Sequence, residues 1–389
     1  MKGVNTILKA IKLRIYPNKA QREQIDININ HCRFLWNTML EMQVNRYKNN
    51  KESNFVNRYG MNSLLPCLKK EYVWLNEADS TSLQETNTQL ETAYKRFFKK
   101  IGGAPKFKSR KFSRKSYTTK MRMSLVDEHH LKLAKLGSVC FRAKAVPQGK
   151  IKRVTVSISA TGKYHALVLI DTEIKPFENT GHNIGIDLGL ADLAIQSDGY
   201  KLKNIRFDKK LSNKKHYWEK RLARRRLQAL QVIHEQKKLG HDLELADFSN
   251  YTRAKYMVAK YSEKERNQRE DYLQKYTTKL VKDFDTIVIE DLKSSNMVKN
   301  HNLARAIANA SWRKIRSMLE YKTSWYGKNI IIIDPKYTSQ VDFETGEVVK
   351  KPLEIREYTN SLGHTFDRDI NAAKNILSWG LNPESRIKK

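Results

Sequence analysis

The chain changes its hydrophobic period several times, and the changes mark out its parts. In Leu8-Lys9-Ala10-Ile11-Lys12-Leu13-Arg14-Ile15-Tyr16-Pro17, apolar and polar residues largely alternate. Ile11, Leu13 and Ile15 share one face and Lys12 and Arg14 the other, which predicts a strand with one wet, cationic face. Pro17-Asn18 ends it. From Lys19 to about Tyr47 the period turns helical, with Cys32, Leu35, Trp36, Met39 and Leu40 on one stripe. A second helical stretch, Ser82 to Lys100, carries Leu83, Leu90, Ala93, Tyr94, Phe97 and Phe98 before Gly102-Gly103-Ala104-Pro105 breaks it.

Residues 104–172 change period again. Arg153–Ile158 and Tyr164–Ile170 read as strands separated by Gly162. With the first strand they predict a β-barrel whose sequence is split by a helical insert. Lys175–His182 reads as a linker, and from Asn183 the pattern is α/β. Ile184–Leu190 is a strand entering a turn, followed by short strands at Leu193–Ile195 and Tyr200–Leu202. A long basic helical stretch covers about 208–282. Thr286-Ile287-Val288-Ile289-Glu290 is a continuous apolar run, the mark of a strand buried on both faces. A helix over about Ala304–Tyr326, a second buried strand at Ile330–Ile333, a polar excursion over 335–366 and a short helix around Asp369–Trp379 complete the chain.

Charge narrows the function classes. The 389 residues hold 74 Lys plus Arg against 41 Asp plus Glu, a net charge of +33. Such an excess repels itself on a folded surface and fits a polyanionic partner, bound through counterion release. Hydrophobic residues at 40% exclude a disordered basic tail and allow two or three domains. No apolar stretch is long enough to cross a membrane, and no signal-peptide run follows Met1, so a cytosolic setting is expected. Cys32, Cys67 and Cys140 lie far apart with no CxxC, which excludes a disulfide framework or a cysteine zinc site.

Three acidic residues stand where chemistry is plausible. Asp187 sits beside Ile186 and Leu188 inside a strand, Glu290 ends the apolar run, and Asp369 opens the last helix in Asp367-Arg368-Asp369-Ile370-Asn371. Each has a plain reading: a turn, a solvated strand end, a helix cap. A carboxylate at a buried strand end is costly unless paired or metal-bound. Strand-Asp, hairpin, long insert, strand-Glu and helix-Asp is the plan of an RNase H-like nuclease. Three carboxylates suit two divalent ions about 4 Å apart for in-line phosphodiester hydrolysis, and oxygen ligands favour Mg²⁺ or Mn²⁺ over zinc.

Six blocks then occur in order: Arg14-Ile15-Tyr16-Pro17, Cys32-Arg33-Phe34-Leu35-Trp36-Asn37, Leu90-Glu91-Thr92-Ala93-Tyr94-Lys95, Gly185-Ile186-Asp187-Leu188-Gly189, Ile289-Glu290-Asp291-Leu292 and Asp367-Arg368-Asp369-Ile370-Asn371-Ala372-Ala373. Over nearly its whole length the chain resembles TnpB, the RNA-guided nuclease of bacterial insertion sequences. The resemblance implies a multidomain α+β protein: a split β-barrel wedge (1–18 and 102–180) with a helical recognition insert (19–101), then an RNase H-like α/β RuvC nuclease domain (181–334 and 367–389) with a basic helical insert. It implies that Asp187, Glu290 and Asp369 are the metal ligands, with Asp367 left as a helix cap. It also implies the partners, a structured guide RNA and target double-stranded DNA beside a short flanking motif, with one protein or a dimer per RNA.

The same resemblance places Gln84 near the flanking motif, although Ser80 and Thr81 depart from the family pattern. Lys106, Lys108, Arg110 and Tyr117 match a loop near nucleic acid. Cations interleaved with aromatics suit phosphate contact and base stacking, while a solvated strand with Phe107 and Phe112 in the core is the plain alternative. Arg221, Arg224 and Arg225 in the basic stretch fit backbone contact with nucleic acid; a solvated charged helix pair is the alternative. Where the family has a zinc ribbon, over 335–366, its four cysteine positions correspond to Asp342, Thr345, Thr359 and Leu362. That set cannot hold zinc. A metal-free target-nucleic-acid-binding segment is expected, with Val341, Phe343, Leu353 and Ile355 as a small core and His364 structural. Two alternatives stay open: an RNA-guided repressor that does not cleave, and a CRISPR-associated effector guided in trans.

Overall fold

A computed structural model describes residues 5–111, 113–143, 146–292, 307, 310–348 and 356–385. The chain divides into two units, Thr6–Glu173 and Ile174–Lys389, the latter with the first five residues. Among the described residues no helix is long and apolar enough to cross a membrane.

The first unit joins a helical group to a sheet. Strand β1 (Asn5–Tyr16) leads into α1 (Lys19–Asn49), α2 (Arg58–Ser63), α3 (Leu65–Glu71) and α4 (Ser80–Phe98). Strands β2 (Ser116–Thr119), β3 (Ser124–Leu125), β4 (His130–Leu133), β5 (Gly137–Arg142), β6 (Lys150–Ile158) and β7 (Tyr164–Ile174) follow. The helices start where side chains satisfy their first N–H groups. Asn18 and Gln21 form a reciprocal capping box on α1, and Asp79 accepts from Thr81 N on α4. Alternation in β1 buries Leu13 and Ile15 and exposes Lys12, as the sequence pattern predicts. The seven strands run in the order β2-β6-β7-β1-β5-β4-β3, so β1 lies between strands from beyond the helices. The expected barrel is corrected to an open sheet among the described residues: edge strand β2 packs against α1 and α4 instead of meeting β3. The short helices α2 and α3 went unread in the sequence because each is too brief to show a period.

The second unit is built on five strands: β8 (Asn183–Asp187), β9 (Asp192–Gln196), β10 (Lys201–Lys203), β11 (Thr286–Glu290) and β12 (Asn329–Ile333). Their order is β10-β9-β8-β11-β12, with β8, β11 and β12 parallel and the β8-β9-β10 meander antiparallel. Central strand β11 is buried at Ile287, Val288 and Ile289, as its apolar run requires. The isoleucines of β12 do not share that environment. They are only half-buried, because β12 is the edge strand.

The basic stretch folds as α5 (Phe207–Lys210), α6 (Ser212–Lys238) and α7 (Ser249–Asp283), with α6 and α7 packed on each other. Helix α8 (Trp312–Tyr326) is shorter than the predicted span, whose start at 304–306 lies outside the described residues. Hairpin β13 (Glu357–Thr359) and β14 (Thr365–Asp367) leads into α9 (Arg368–Leu381). Two glycines bring α9 close to the sheet. A Cβ on Gly185 of β8 would collide with the Ala373 carbonyl oxygen and lie 2.7 Å from Leu377 N, and one on Gly380 of α9 would collide with Val288 of β11.

Candidate active site

Parallel pairing decides where the first two carboxylates meet. Ile186 of β8 and Ile289 of β11 are register partners, so the next residues, Asp187 and Glu290, leave the same edge of the sheet on adjacent strands. Side chains alternate along a strand, so Asp187 shares a face with Gly185 and Glu290 with Val288. That is the face on which α9 packs through Gly185 and Gly380. Asp369 stands in the first turn of α9, whose start is fixed by Asp367: its carboxylate accepts from the N–H of Asp369 at 2.9 Å and of Ile370 at 3.1 Å. Asp367 is therefore the helix cap expected of it, and its other oxygen pairs with Lys201 of β10.

Burial pushes the Asp187 carboxyl well above the ordinary range, and the charges of Glu290 and Asp369 push it further, with Arg368 opposing. Glu290 is also raised, first by burial and then by Asp334, against a hydrogen bond donated by the Thr338 hydroxyl. Asp369 is held differently. Arg356 donates to it at 2.6 Å and Arg368 lies 3.4 Å away. With the third carboxylate turned onto arginines, no group of three His, Cys, Asp or Glu side chains gathers closely enough to hold a metal ion among the described residues. The donor chemistry still fits a hard divalent cation. Two oxygen-donor side chains are desolvated side by side, and neither has a basic side chain bonded to it among the described residues.

Several neighbours of this site escaped the sequence reading. Thr338 is buried and bonds Glu290, while its own carbonyl accepts from Asn375 of α9 at 3.0 Å. Asn371 of α9 donates to Val341 O at 2.7 Å and accepts from Phe343 N at 2.8 Å, so segment 338–343 is strapped to the helix that carries Asp369. Arg356 has no signal in the sequence. Asp334 had one: it follows the apolar run of β12 as Glu290 follows that of β11.

Beyond the strap, of the four aligned zinc positions only Asp342 and Thr345 meet through hydrogen bonds; Thr359 bonds Thr365 instead, and Leu362 is exposed. Buried Asp342 accepts from Glu344 N at 3.0 Å, Thr345 N at 2.9 Å and Thr345 Oγ1 at 3.1 Å in its own turn, and from Tyr358 OH across the hairpin at 2.5 Å. Burial raises its carboxyl, but these bonds outweigh burial and hold it below the ordinary range. His364 bonds Glu344 at 2.8 Å. Val341 is buried as expected, whereas Phe343 is exposed, with Lys374 stacked over its ring. Leu353 and Ile355 lie outside the described residues.

The predicted nucleic-acid contacts are spread over both units. Gln84 is exposed on α4, and Thr81 bonds Thr119 at 2.8 Å. The loop after α4 is pinned to α1: Trp36 donates to Lys106 O at 3.0 Å, and Asn37 exchanges bonds with Lys108 N at 2.8 Å and Lys108 O at 3.0 Å. Lys106, Phe107 and Arg110 are exposed, so Phe107 is no core residue, and Phe112 lies outside the described residues. Tyr117 is corrected from an exposed stacking ring to a core side chain, 3% exposed, because β2 turns it toward α1 and α4. On α6, Arg221 lies over Tyr217 and Trp218, Arg225 donates to Gln228 at 3.0 Å, and Arg224 is exposed.

Known proteins resemble this chain. The chain matches the families described as "Cas12f1-like, TNB domain" over residues 312–376, "Probable transposase" over 165–301 and "Helix-turn-helix domain" over 1–52. A protein of Streptomyces pristinaespiralis named "Putative RNA-guided DNA endonuclease" is 34% identical, over 96% of this chain and 90% of that one. One of Escherichia coli, "Putative RNA-guided DNA endonuclease InsQ", is 30% identical over 96% and 92%. "TnpB-like protein MJ0012" of Methanocaldococcus jannaschii is 37% identical over 33% of this chain and 61% of that one. A solved structure described as "Cryo-EM structure of the Cas12f1-sgRNA-target DNA complex" shares the fold at 13% identity, with a TM-score of 0.55 over 97% of this chain and 99% of that one. A mixed α+β chain that aligns end to end with such relatives, and carries the six sequence blocks in order, belongs to the TnpB family.

Proposed function

We propose that this protein is an RNA-guided DNA endonuclease that hydrolyses phosphodiesters at Asp187, Glu290 and Asp369. The observation that carries the reading is the register of β8 on β11, which brings the half-buried Asp187 and the buried Glu290 onto adjacent strands, on the face where the helix bearing Asp369 packs. The five-stranded order, with three parallel strands and an antiparallel meander, is read as the RNase H-like core of a RuvC-type nuclease. Asp187 and Glu290 would hold magnesium or manganese, joined by Asp369 once it exchanges Arg356 for the cation. Bound there, the ions supply Lewis-acid activation of water and stabilise charge on the phosphate. The chain's own residues orient the site: Thr338 fixes Glu290, Asp367 fixes the helix start, and α9 excludes water from the sheet face. The +33 charge and the long, mostly exposed basic helix α6 support contact with nucleic acid backbones, and the relatives' names support guide RNA and target DNA as the partners.

The test expresses the protein with its native flanking DNA, sequences the RNA that copurifies, and assays cleavage of a DNA target matching the RNA end. One abundant RNA with a constant scaffold, and cleavage that Asp187→Ala abolishes while binding survives, is the expected result. Only fragmented cellular RNA would remove the guide from the reading. A second reading, guided binding without cleavage, is favoured by the arginine pairs that occupy Asp369. It predicts the same RNA and no cleavage in magnesium or manganese.

A further inference from the structure

A cavity of about 350 Å³ opens within the first unit, between α1, α4 and β2. Its volume lies in the range of small-ligand pockets, far above that of a single ion or water. Its lining includes Arg33, Lys108, Arg110, Arg114 and Lys115, and among the described residues no carboxylate lines it. Elsewhere in this unit Glu85 takes Lys120 and Arg153, and Glu91 takes Lys95. The cavity therefore gathers five cations, with no carboxylate among its described lining residues.

Lys108 is the best placed of these cations. Its backbone is fixed to Asn37 in both directions, and its ammonium sits 3.6 Å from the centre of the Trp36 ring. Burial lowers its pKa to about 8, so the charged form lacks the solvent or counter-charge that would support it. An anion in the cavity supplies that counter-charge at little ordering cost, because the loop is already held. Beside Ile29, Cys32 and Tyr117, the lining also carries uncharged polar groups. Gln89 donates to Thr118 at 3.4 Å, and the Thr118 and Thr155 hydroxyls bond at 2.9 Å. These amide and hydroxyl groups suit a sugar or base edge and would leave a bare phosphate under-filled.

We propose that this cavity takes one phosphodiester-linked nucleotide turned out of its helical stack, with its phosphate on Lys108 and the lining arginines and its sugar or base against Gln89 and Thr118. The inference rests on the function proposed above only for the supply of nucleic acid. The nucleotide comes from the guide RNA or from the target DNA, and the experiment separates the two.

The test is phosphate-ethylation interference on each strand of the assembled complex, comparing the unaltered protein with Lys108→Ala and with Arg114→Ala, whose side chain is exposed and outside the core. One phosphate is expected at which ethylation weakens binding about tenfold, the worth of a hydrogen bond to a charged group. Its ethylation should cost the variants far less, and the salt slope of their binding should fall by about 1. A hit in the RNA assigns the nucleotide to the guide, and a hit in DNA to the target. Identical interference patterns in all three proteins, or weakening spread evenly over every phosphate, overturn the proposal. The cleavage assay reads separately: cleavage without a special phosphate removes only the cavity site, and a special phosphate without cleavage removes only the nuclease.

Discussion

Burial raises the carboxyl pKa of Asp187, and the charges of Glu290 and Asp369 raise it again, so without a cation its ionised form opposes folding. The sign follows from linkage. A carboxyl raised in the folded state favours folding fully below its unfolded value, near 4, and that contribution is lost as pH rises toward the folded value. In EDTA, Asp187→Asn should therefore melt higher than the unaltered protein, by at least about 2 °C at pH 8, with the gap closing toward pH 4. Magnesium should stabilise the unaltered protein at pH 8 and leave the variant's melting unchanged. A variant that melts lower at pH 8 would make Asp187 a structural residue. Thr338 acts through Glu290, as a positioning residue. Thr338→Val should slow single-turnover cleavage about tenfold and shift the magnesium titration to higher concentration; an unchanged midpoint and rate would detach Thr338 from the site.

At the scale of elements, the site depends on how closely α9 lies on β8 and β11. Gly185 leaves no room for a side chain under the α9 backbone, and neither atom that a Cβ would meet at Ala373 O or Leu377 N can turn aside. Gly185→Ala should destabilise the protein by about 3 kcal/mol, measured by thermal or denaturant unfolding, and should lower cleavage by displacing Asp369. A near-neutral variant would mean that the helix can slide. The segment beyond β12 shows how an element survives a change of chemistry. Asp342 gathers N–H and O–H donors from its own turn and from Tyr358 of β13, so hydrogen bonds hold together a segment where the family resemblance implies cysteines. Helices α1, α4 and α9, and strands β1, β6, β7, β8 and β11, were legible because each is long enough to show a period or carries a cap. The edge position of β12 was not legible, since four isoleucines read alike in a central and an edge strand.

For the whole molecule, the +33 charge sets solution behaviour. Without nucleic acid, like charges repel across each unit, and the Debye length falls from about 10 Å at 0.1 M salt to about 3 Å at 1 M. Melting temperature should therefore rise between 0.1 and 0.5 M sodium chloride, while nucleic acid binding weakens steeply over the same range. A flat melting response would show that local ion pairs such as Lys328–Asp285 and Lys215–Glu265 already balance the repulsion.

The sequence by itself determined the charge, the strand and helix periods, and the places of Asp187, Glu290 and Asp369 at the ends of elements, because these depend on residue type and local spacing. It also carried the family resemblance, since six ordered blocks survive changes elsewhere. Only the tertiary structure decided which strands are neighbours, that the first sheet stays open, that Tyr117 faces inward, and that Arg356 and Arg368 engage Asp369. Those outcomes depend on contacts between residues far apart in the chain, which no local period encodes. The side-by-side placement of Asp187 and Glu290 is the clearest case: 103 residues separate them, and the parallel register of two strands removes that separation.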